Sequence, residues 1–318
     1  MKKVLWTLGI IAGLAVVGIG GYVFYLYNSV ENTVTEMHEP IEREVSEKRT
    51  EKIDVNKQDP ISILLMGVDE RPEKGDSGRS DTMIVMSINP NDKSIQMFNI
   101  PRDTRTEIIG KGFDDKINHA YAFGGAEMAM NTVENLLDVP IDYYIKVNME
   151  ALSELVDAVG GVTVNNKFAF TYGKHTFNKG ENFLNGEEAL LYSRMRKQDP
   201  RGDLGRNERQ RQIITALINK GANFSSITKV DDILTALGGN IRTNLTFDEM
   251  IDIQKNYKEA RHNIKTLEVS GQGQMINGIY YYIVSDEERT RISTELKQHL
   301  NISEAAETEQ AGKSVEAS

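Results

Sequence analysis

The sequence predicts an α/β protein, a central mixed sheet with helices on both faces, preceded by one N-terminal transmembrane helix. Three observations predict it. Strand-like and helix-like segments alternate through the body of the chain. Several strand segments are apolar on both faces, as a sheet covered on both sides requires. The chain also begins with an uncharged run long enough to cross a bilayer.

That run is Val4 to Tyr27, 24 residues without a charge, or about 36 Å of helix against a hydrocarbon core of ~30 Å. It is too long for a cleavable signal peptide, and Tyr22, Phe24, Tyr25 and Tyr27 form an aromatic belt at its exit. Lys2 and Lys3 precede it, which keeps the N-terminus in the cytoplasm and puts the rest outside: a single-pass type II protein of the cell membrane. Residues 29–58 are polar and charge-rich and read as a solvated, partly helical stalk. The globular domain is expected over 59–300 and a disordered acidic tail over 301–318.

Within the body, Ile61–Met66 and Thr82–Ile88 read as strands, and Asn89-Pro90-Asn91-Asp92 turns the chain into a third, Ser94–Ile100. Residues 118–137 read as one helix with Asn118 at its N-cap and Ala129, Val133, Leu136 and Leu137 on one face. A strand over 142–147 and a helix over 149–159 follow, the helix closed by Gly160-Gly161, with a short strand over 161–165. Helical patterns recur at 186–196, 206–221, 228–237, 246–260 and 286–300. Strands are expected near 264–269 and 278–284.

Composition narrows the function. A hydrophobic share of 39% and a charged share of 26% exclude a wholly disordered chain. With 37 basic against 47 acidic residues the net charge is −10, which excludes nucleic acid as a general partner. The absence of cysteine excludes disulfides, thiolate metal sites and a cysteine nucleophile. Gly75-Asp76-Ser77-Gly78 copies a serine-protease loop, but the only upstream histidine is His38, in the stalk. The five histidines lack metal-ligand spacing, and Gly124-Gly125 has no following Lys-Ser/Thr to make a P-loop.

Two features carry chemistry. Asp69 directly follows one apolar strand and Asp81 directly precedes the next, so both lie at strand ends, where open sheets place their sites. Together they suit Mg²⁺, which needs one or two carboxylates when phosphate and water complete its shell; on spacing alone the simpler reading is that both are turn residues. Arginines concentrate at Arg79, Arg102, Arg105, Arg194, Arg196, Arg201, Arg206, Arg209 and Arg211. Arg206, Arg209 and Gln210 fall at i, i+3 and i+4 on one helix face, while Arg211 points elsewhere and is expected at the surface. Guanidinium forks suit bidentate phosphate contacts, each charge-assisted bond contributing ~1.5–3 kcal/mol. A salt-bridged helix face, with Glu187, Glu188, Asp203 and Glu208 as partners, accounts for the same pattern.

The segments MGVDER, GRSDTMI, IPRDTR, KINHAYAFGG, VPIDYYIKVNME, VDAVGGVTV, LNGEEALLYSRMR and GDLGRNERQRQ occur in this order between residues 60 and 285. Together they resemble the LytR-CpsA-Psr family of Gram-positive wall assembly, in its teichoic acid transferase type. The resemblance implies a three-layer α/β/α sandwich with an apolar tunnel for a polyisoprenoid tail. It implies Mg²⁺ (or Mn²⁺) on Asp69 and Asp81, and a diphosphate held by Arg79, Arg102, Arg194, Arg196, Arg206, Arg209 and Gln210. Asp81, Arg79 and Asp69 are the implied catalytic residues; Asp103 is expected to organise the loop, with Arg105 just beyond the motif. The implied reaction is a phosphotransfer of an anionic glycopolymer from an undecaprenyl-pyrophosphate carrier to peptidoglycan. A polyprenyl-pyrophosphate hydrolase and a non-catalytic lipid-phosphate scaffold are the alternatives.

Overall fold

The computed structural model describes residues 28–70, 78–221 and 238–302. The apolar runs nearest the expected stalk become the middle of a six-stranded mixed sheet. β1 (Ile61–Val68), β2 (Ser80–Asn89) and β3 (Ser94–Asn99) form an antiparallel meander turned at Pro90–Lys93. After the β4–β5 hairpin (Arg105–Ile108, Phe113–Lys116), β6 (Tyr143–Asn148) returns parallel to β1. A satellite layer follows, of β7 (Val162–Asn166), β8 (Phe170–Tyr172), β9 (His175–Phe177) and β10 (Gly180–Leu184). β11 (Ile241–Thr243) and β12 (Ile264–Thr266) close the two edges, giving the order β11-β6-β1-β2-β3-β12. The β13–β14 hairpin (Gln272–Ile276, Ile279–Ile283) joins through a parallel bridge between Thr104 and Tyr282.

Alternate residues of the central strands feed two cores. Leu64, Met66, Val68, Met83, Val85 and Phe98 face α2 (His119–Leu137, after α1 at residues 28–37) and the last helix. Ile61, Ile63, Leu65, Ile84, Met86 and Met97 face the other way. α3 (Met149–Ala158) and α4 (Gly186–Arg194) pack in the satellite core, α5 (Asp203–Gly221) and α6 (Phe247–Tyr257) pack on that second face, and the last helix is α7 (Asp286–His299) on the first. The second face is less completely closed, and Ile145, Val147, Ile214, Ile218, Met250 and Ile253 keep part of their surface exposed. Layers of helix, sheet and helix are the predicted arrangement. The capping boxes Asn185–Glu188 and Thr246–Glu249 start α4 and α6 by satisfying the first free N–H groups of each.

Four expectations change. α2 is broken where Gly124 and Gly125 leave helical dihedrals, and Asn118 makes no side-chain cap. The β4–β5 hairpin, the satellite strands β8–β10, β11 and β13 carry too few apolar residues to show as strands, since long-range pairing rather than local pattern makes them. Residues 29–58 are not a free stalk: Val34, Met37 and Val55 are buried, Arg43 pairs with buried Glu134, and Arg49 meets Asp142 at 2.6 Å. The apolar run at 4–27, the helix expected at 228–237 and the tail from 303 onward lie outside the described residues. No helix among the described residues is long and apolar enough to cross a membrane.

α7 is fastened to the β2–β3 hairpin by buried His299, whose ring nitrogens meet Ser87 Oγ at 2.7 Å and Ser94 Oγ at 2.8 Å. Burial holds this imidazole below its ordinary pKa. The unfolded chain therefore takes up the proton first as pH falls, and the stability present above about pH 6.5 is lost toward the depressed folded value. The melting temperature of the wild type relative to His299→Gln should shrink between pH 7 and pH 5, as followed by thermal melts across that range.

Candidate active site

The topology gathers the chemistry at one end of the sheet. β1 ends there with Asp69 following, antiparallel β2 begins there, and β3 ends there before Arg102. The β1–β2 register slips at this end: Gly67 faces Thr82, but Val68 faces Ser80, so Asp81 is the extra residue of a β-bulge. Its own N–H turns back to the Arg79 carbonyl at 2.9 Å. A bulge redirects the side chain it carries. Here the Asp81 carboxylate meets Arg102 Nη1 at 3.0 Å and accepts a hydrogen bond from Asn118 Nδ2 at 3.3 Å. Asn118 is thus a support for Asp81 rather than a helix cap. Nothing in the local pattern signals this, because the partners are far apart in sequence.

Gly78 brings Arg79 to Asp69. It has φ of +73°, and a Cβ there would stand 2.9 Å from the Asp69 carbonyl, so only glycine lets the chain pass this strand end. Asp69 and Arg79 are both exposed. Beside them Glu70 is engaged by Lys146 at 3.1 Å and accepts from Tyr121 Oη on α2; burial and this carboxylate raise the phenol's pKa. Lys146 and Tyr121 were not singled out from the sequence, lacking any motif signal of their own.

The start of α5 supplies the opposing wall. Arg206 Nη2 donates to Asp203 Oδ2 at 3.0 Å, and Arg196 Nη1 stands 3.7 Å from Asp203 Oδ1. Arg206 is within electrostatic reach of Arg102, Arg196 and Asp81, and Arg102 of Asp203. Three guanidiniums and two carboxylates therefore form one cluster. Burial lowers the Arg206 pKa, with Asp203 only partly compensating. Burial also works against the Arg102 charge, but Asp81 and Asp103 outweigh it and its pKa is raised. Arg206 Nε and Asp203 Oδ1 are buried without a hydrogen-bond partner in this arrangement, so the cluster retains unused capacity on both of these residues.

The remaining predicted residues divide. Gln210 meets Asn99 at the end of β3 at 3.5 Å, close to Arg102 in the chain. Arg209 turns inward, buried against Asp199, so the i, i+3, i+4 face does not act as one surface. Arg211, expected outside, is buried and donates to Asn99 Oδ1 at 2.7 Å, because β3 covers that side of α5. Arg194 and Arg196 are exposed at the end of α4. Asp103 receives Lys116 at 2.7 Å and braces the loop, whereas Arg105 is paired with Asp114 at 2.8 Å on the β4–β5 hairpin. The salt-bridge reading is also met in part: Glu208 joins Arg201 and Lys167, while Glu187 and Glu188 serve His175.

Residues 24–298 match the family model described as LytR_cpsA_psr family. The chain belongs to the LytR-CpsA-Psr family. Among relatives, the polyisoprenyl-teichoic acid–peptidoglycan teichoic acid transferase TagU of Halalkalibacterium halodurans is 55% identical over 305 residues, covering 95% of this chain and 100% of the relative. The crystal structure of Bacillus subtilis TagU is 52% identical, with a TM-score of 0.63 over 76% of this chain and 97% of that one. A structure of TagT bound to LIIa-WTA is 31% identical, with a TM-score of 0.71 over 83% of this chain and all of that chain.

Gly78→Ala should cost about 1–3 kcal/mol of stability and pull the Arg79 segment off the strand end. Chemical denaturation of the variant, beside Gly112→Ala at a positive-φ position with open space around its Cβ, separates this contact from simple backbone strain.

Proposed function

We propose that this LytR-CpsA-Psr protein is a phosphotransferase that moves an anionic glycopolymer of the teichoic acid class from a polyprenyl-diphosphate carrier to peptidoglycan. The observation that carries the reading is the convergence of Arg102, Arg196 and Arg206 on Asp81 and Asp203 at the sheet end that also bears Asp69 and Arg79. Relatives at 50–55% identity bear the name of this transferase. A diphosphate is the ligand that fits several guanidiniums held together, since it matches their charge and their fork geometry. The prenyl tail is assigned to the half-covered second face of the sheet, where Ile145, Val147, Ile214 and Ile218 offer apolar surface. The uncharged run at 4–27 is read as the anchor that keeps the domain outside the cytoplasmic membrane.

A divalent ion fits the donor set only in company. Asp69 and Asp81 supply hard oxygens at one strand end, but no group of three acidic or histidine side chains suited to a metal occurs among the described residues. Mg²⁺ would therefore sit on these two carboxylates with phosphate and water oxygens completing the shell. Bound there, it would supply charge neutralisation at the diphosphate.

In the reaction, a peptidoglycan hydroxyl attacks the sugar-proximal phosphorus. The new O–P bond forms as the bond to the bridging oxygen breaks, and the prenyl monophosphate leaves. Asp81, aimed by its bulge and held by Asn118, orients the hydroxyl and takes its proton. Arg102, Arg196 and Arg206 meet the charge that grows on the phosphoryl and leaving oxygens, and they are in place before it grows. No nucleotide is consumed, because the diphosphate bond supplies the driving force. A hydrolase would use the same wall with water as acceptor.

Arg102→Ala and Arg196→Ala should each reduce transfer from a lipid-linked donor by roughly two orders of magnitude while the protein stays folded; wild-type turnover in either removes that residue from the site. Asp81→Asn should remove transfer and weaken Mg²⁺ binding together, and an unchanged calorimetric Mg²⁺ titration in the presence of pyrophosphate removes it from the ion's shell. Recovering the polymer in solution rather than on peptidoglycan would favour the hydrolase.

A further inference from the structure

Arg209 and Asp199 form the most deeply buried ion pair at this end of the molecule. The Arg209 side chain is 4% exposed and that of Asp199 is 0% exposed, with Nη1 donating to Oδ2 at 2.6 Å. Nη2 donates to the Met195 carbonyl. The guanidinium lies 5.5 Å from the ring of Phe170 and 5.9 Å from that of Tyr192, both within the apolar satellite core. Space for the carboxylate comes from Gly205 on the first turn of α5: a Cβ there would fall 1.8 Å from Asp199 Oδ2. Asp199 in turn accepts the Arg201 N–H at 2.8 Å and starts the turn that leads into α5.

We propose that Arg209 is a positioning residue, a buried strut that fixes residues 195–206 and so sets Arg196 and Arg206 on either side of Asp203. It does not itself bind the diphosphate. Its hydrogen bonds are directed to Met195, beside Arg196, and to Asp199 within the loop, so they tie this loop to α5, the helix that carries Arg206. The π-faces of Phe170 and Tyr192 and the Asp199 charge hold the strut where water is excluded. A misplacement of about 1 Å at reacting groups costs on the order of a hundredfold in rate, so this strut controls the site without touching substrate. The inference rests on the diphosphate reading above for its functional consequence, but not for its geometry.

The test compares Arg209→Ala, Asp199→Asn and the double variant as full chains. Two readouts are used: the calorimetric affinity for inorganic pyrophosphate with Mg²⁺, and the amide exchange of residues 195–206. Each single variant should weaken pyrophosphate binding at least tenfold and raise exchange across 195–206, with the double variant no worse than the weaker single. Asp199→Asn is the decisive arm, because removing a negative charge would by itself tighten anion binding. Free guanidinium ion should restore both readouts in Arg209→Ala by filling the slot between Phe170 and Tyr192. Unchanged or tighter binding in Asp199→Asn, losses that multiply in the double variant, or unaltered exchange at 195–206 each overturn the strut. Should Arg209→Ala not fold, Asp199→Asn alone decides by the same criteria. A wild type that binds no pyrophosphate refutes the diphosphate reading instead, and the strut is then judged on amide exchange.

Discussion

Guanidinium groups repel one another, and three of them share one end of this sheet because carboxylates are threaded between them. Asp81 takes Arg102, and Asp203 lies between Arg196 and Arg206. Remove either acid and like charges would face each other in partly buried surroundings, where their repulsion is stronger than in water. The alternation keeps the cluster assembled without a ligand yet leaves it net cationic. Each acid is held by a device that is not itself charged. Asp81 is aimed by a bulge and an asparagine amide, and Asp203 is placed by the start of α5.

The sheet makes this economical in chain. One end collects the end of β1, the start of β2 and the segment after β3, so three short stretches reach the site with no long excursion. α5 completes it from outside the sheet and carries residues with three different fates. Arg206 faces the cluster, Gln210 the end of β3, and Arg209 the satellite core. A helix of this kind is a joint between two packed bodies, and its register decides which guanidinium sees which environment.

Much of this was legible in the chain. The meander β1–β3 follows from apolar runs and an Asn-Pro-Asn-Asp turn, and the strand-end aspartates follow from where those runs stop. The clustering of Arg102, Arg196 and Arg206 was carried by motif resemblance, since no local period links residues so far apart. What the sequence hid were features decided by tertiary contact. Arg211 looked like a surface residue because helical spacing reports relative faces, not which face a distant strand will cover. Asn118 looked like a cap because asparagine before a helix usually is one, but its amide was recruited by Asp81. Arg209 could not be told from its neighbours until Asp199 and the notch at Gly205 were seen together.

Residues 29–58 have the composition of a loose tether, yet their described course is laid along the body. Arg43 is clamped to Glu134 and the Ile141 carbonyl, Arg49 to Asp142 and the Pro60 carbonyl, and His38 lies beside Thr243 on the outer strand of the sheet. A slack segment of this length would let its two ends wander tens of ångströms relative to one another. A segment glued down instead works as a gauge block. The end of the sheet that carries Asp69 and Asp81 stands at a set height and bearing from residue 28.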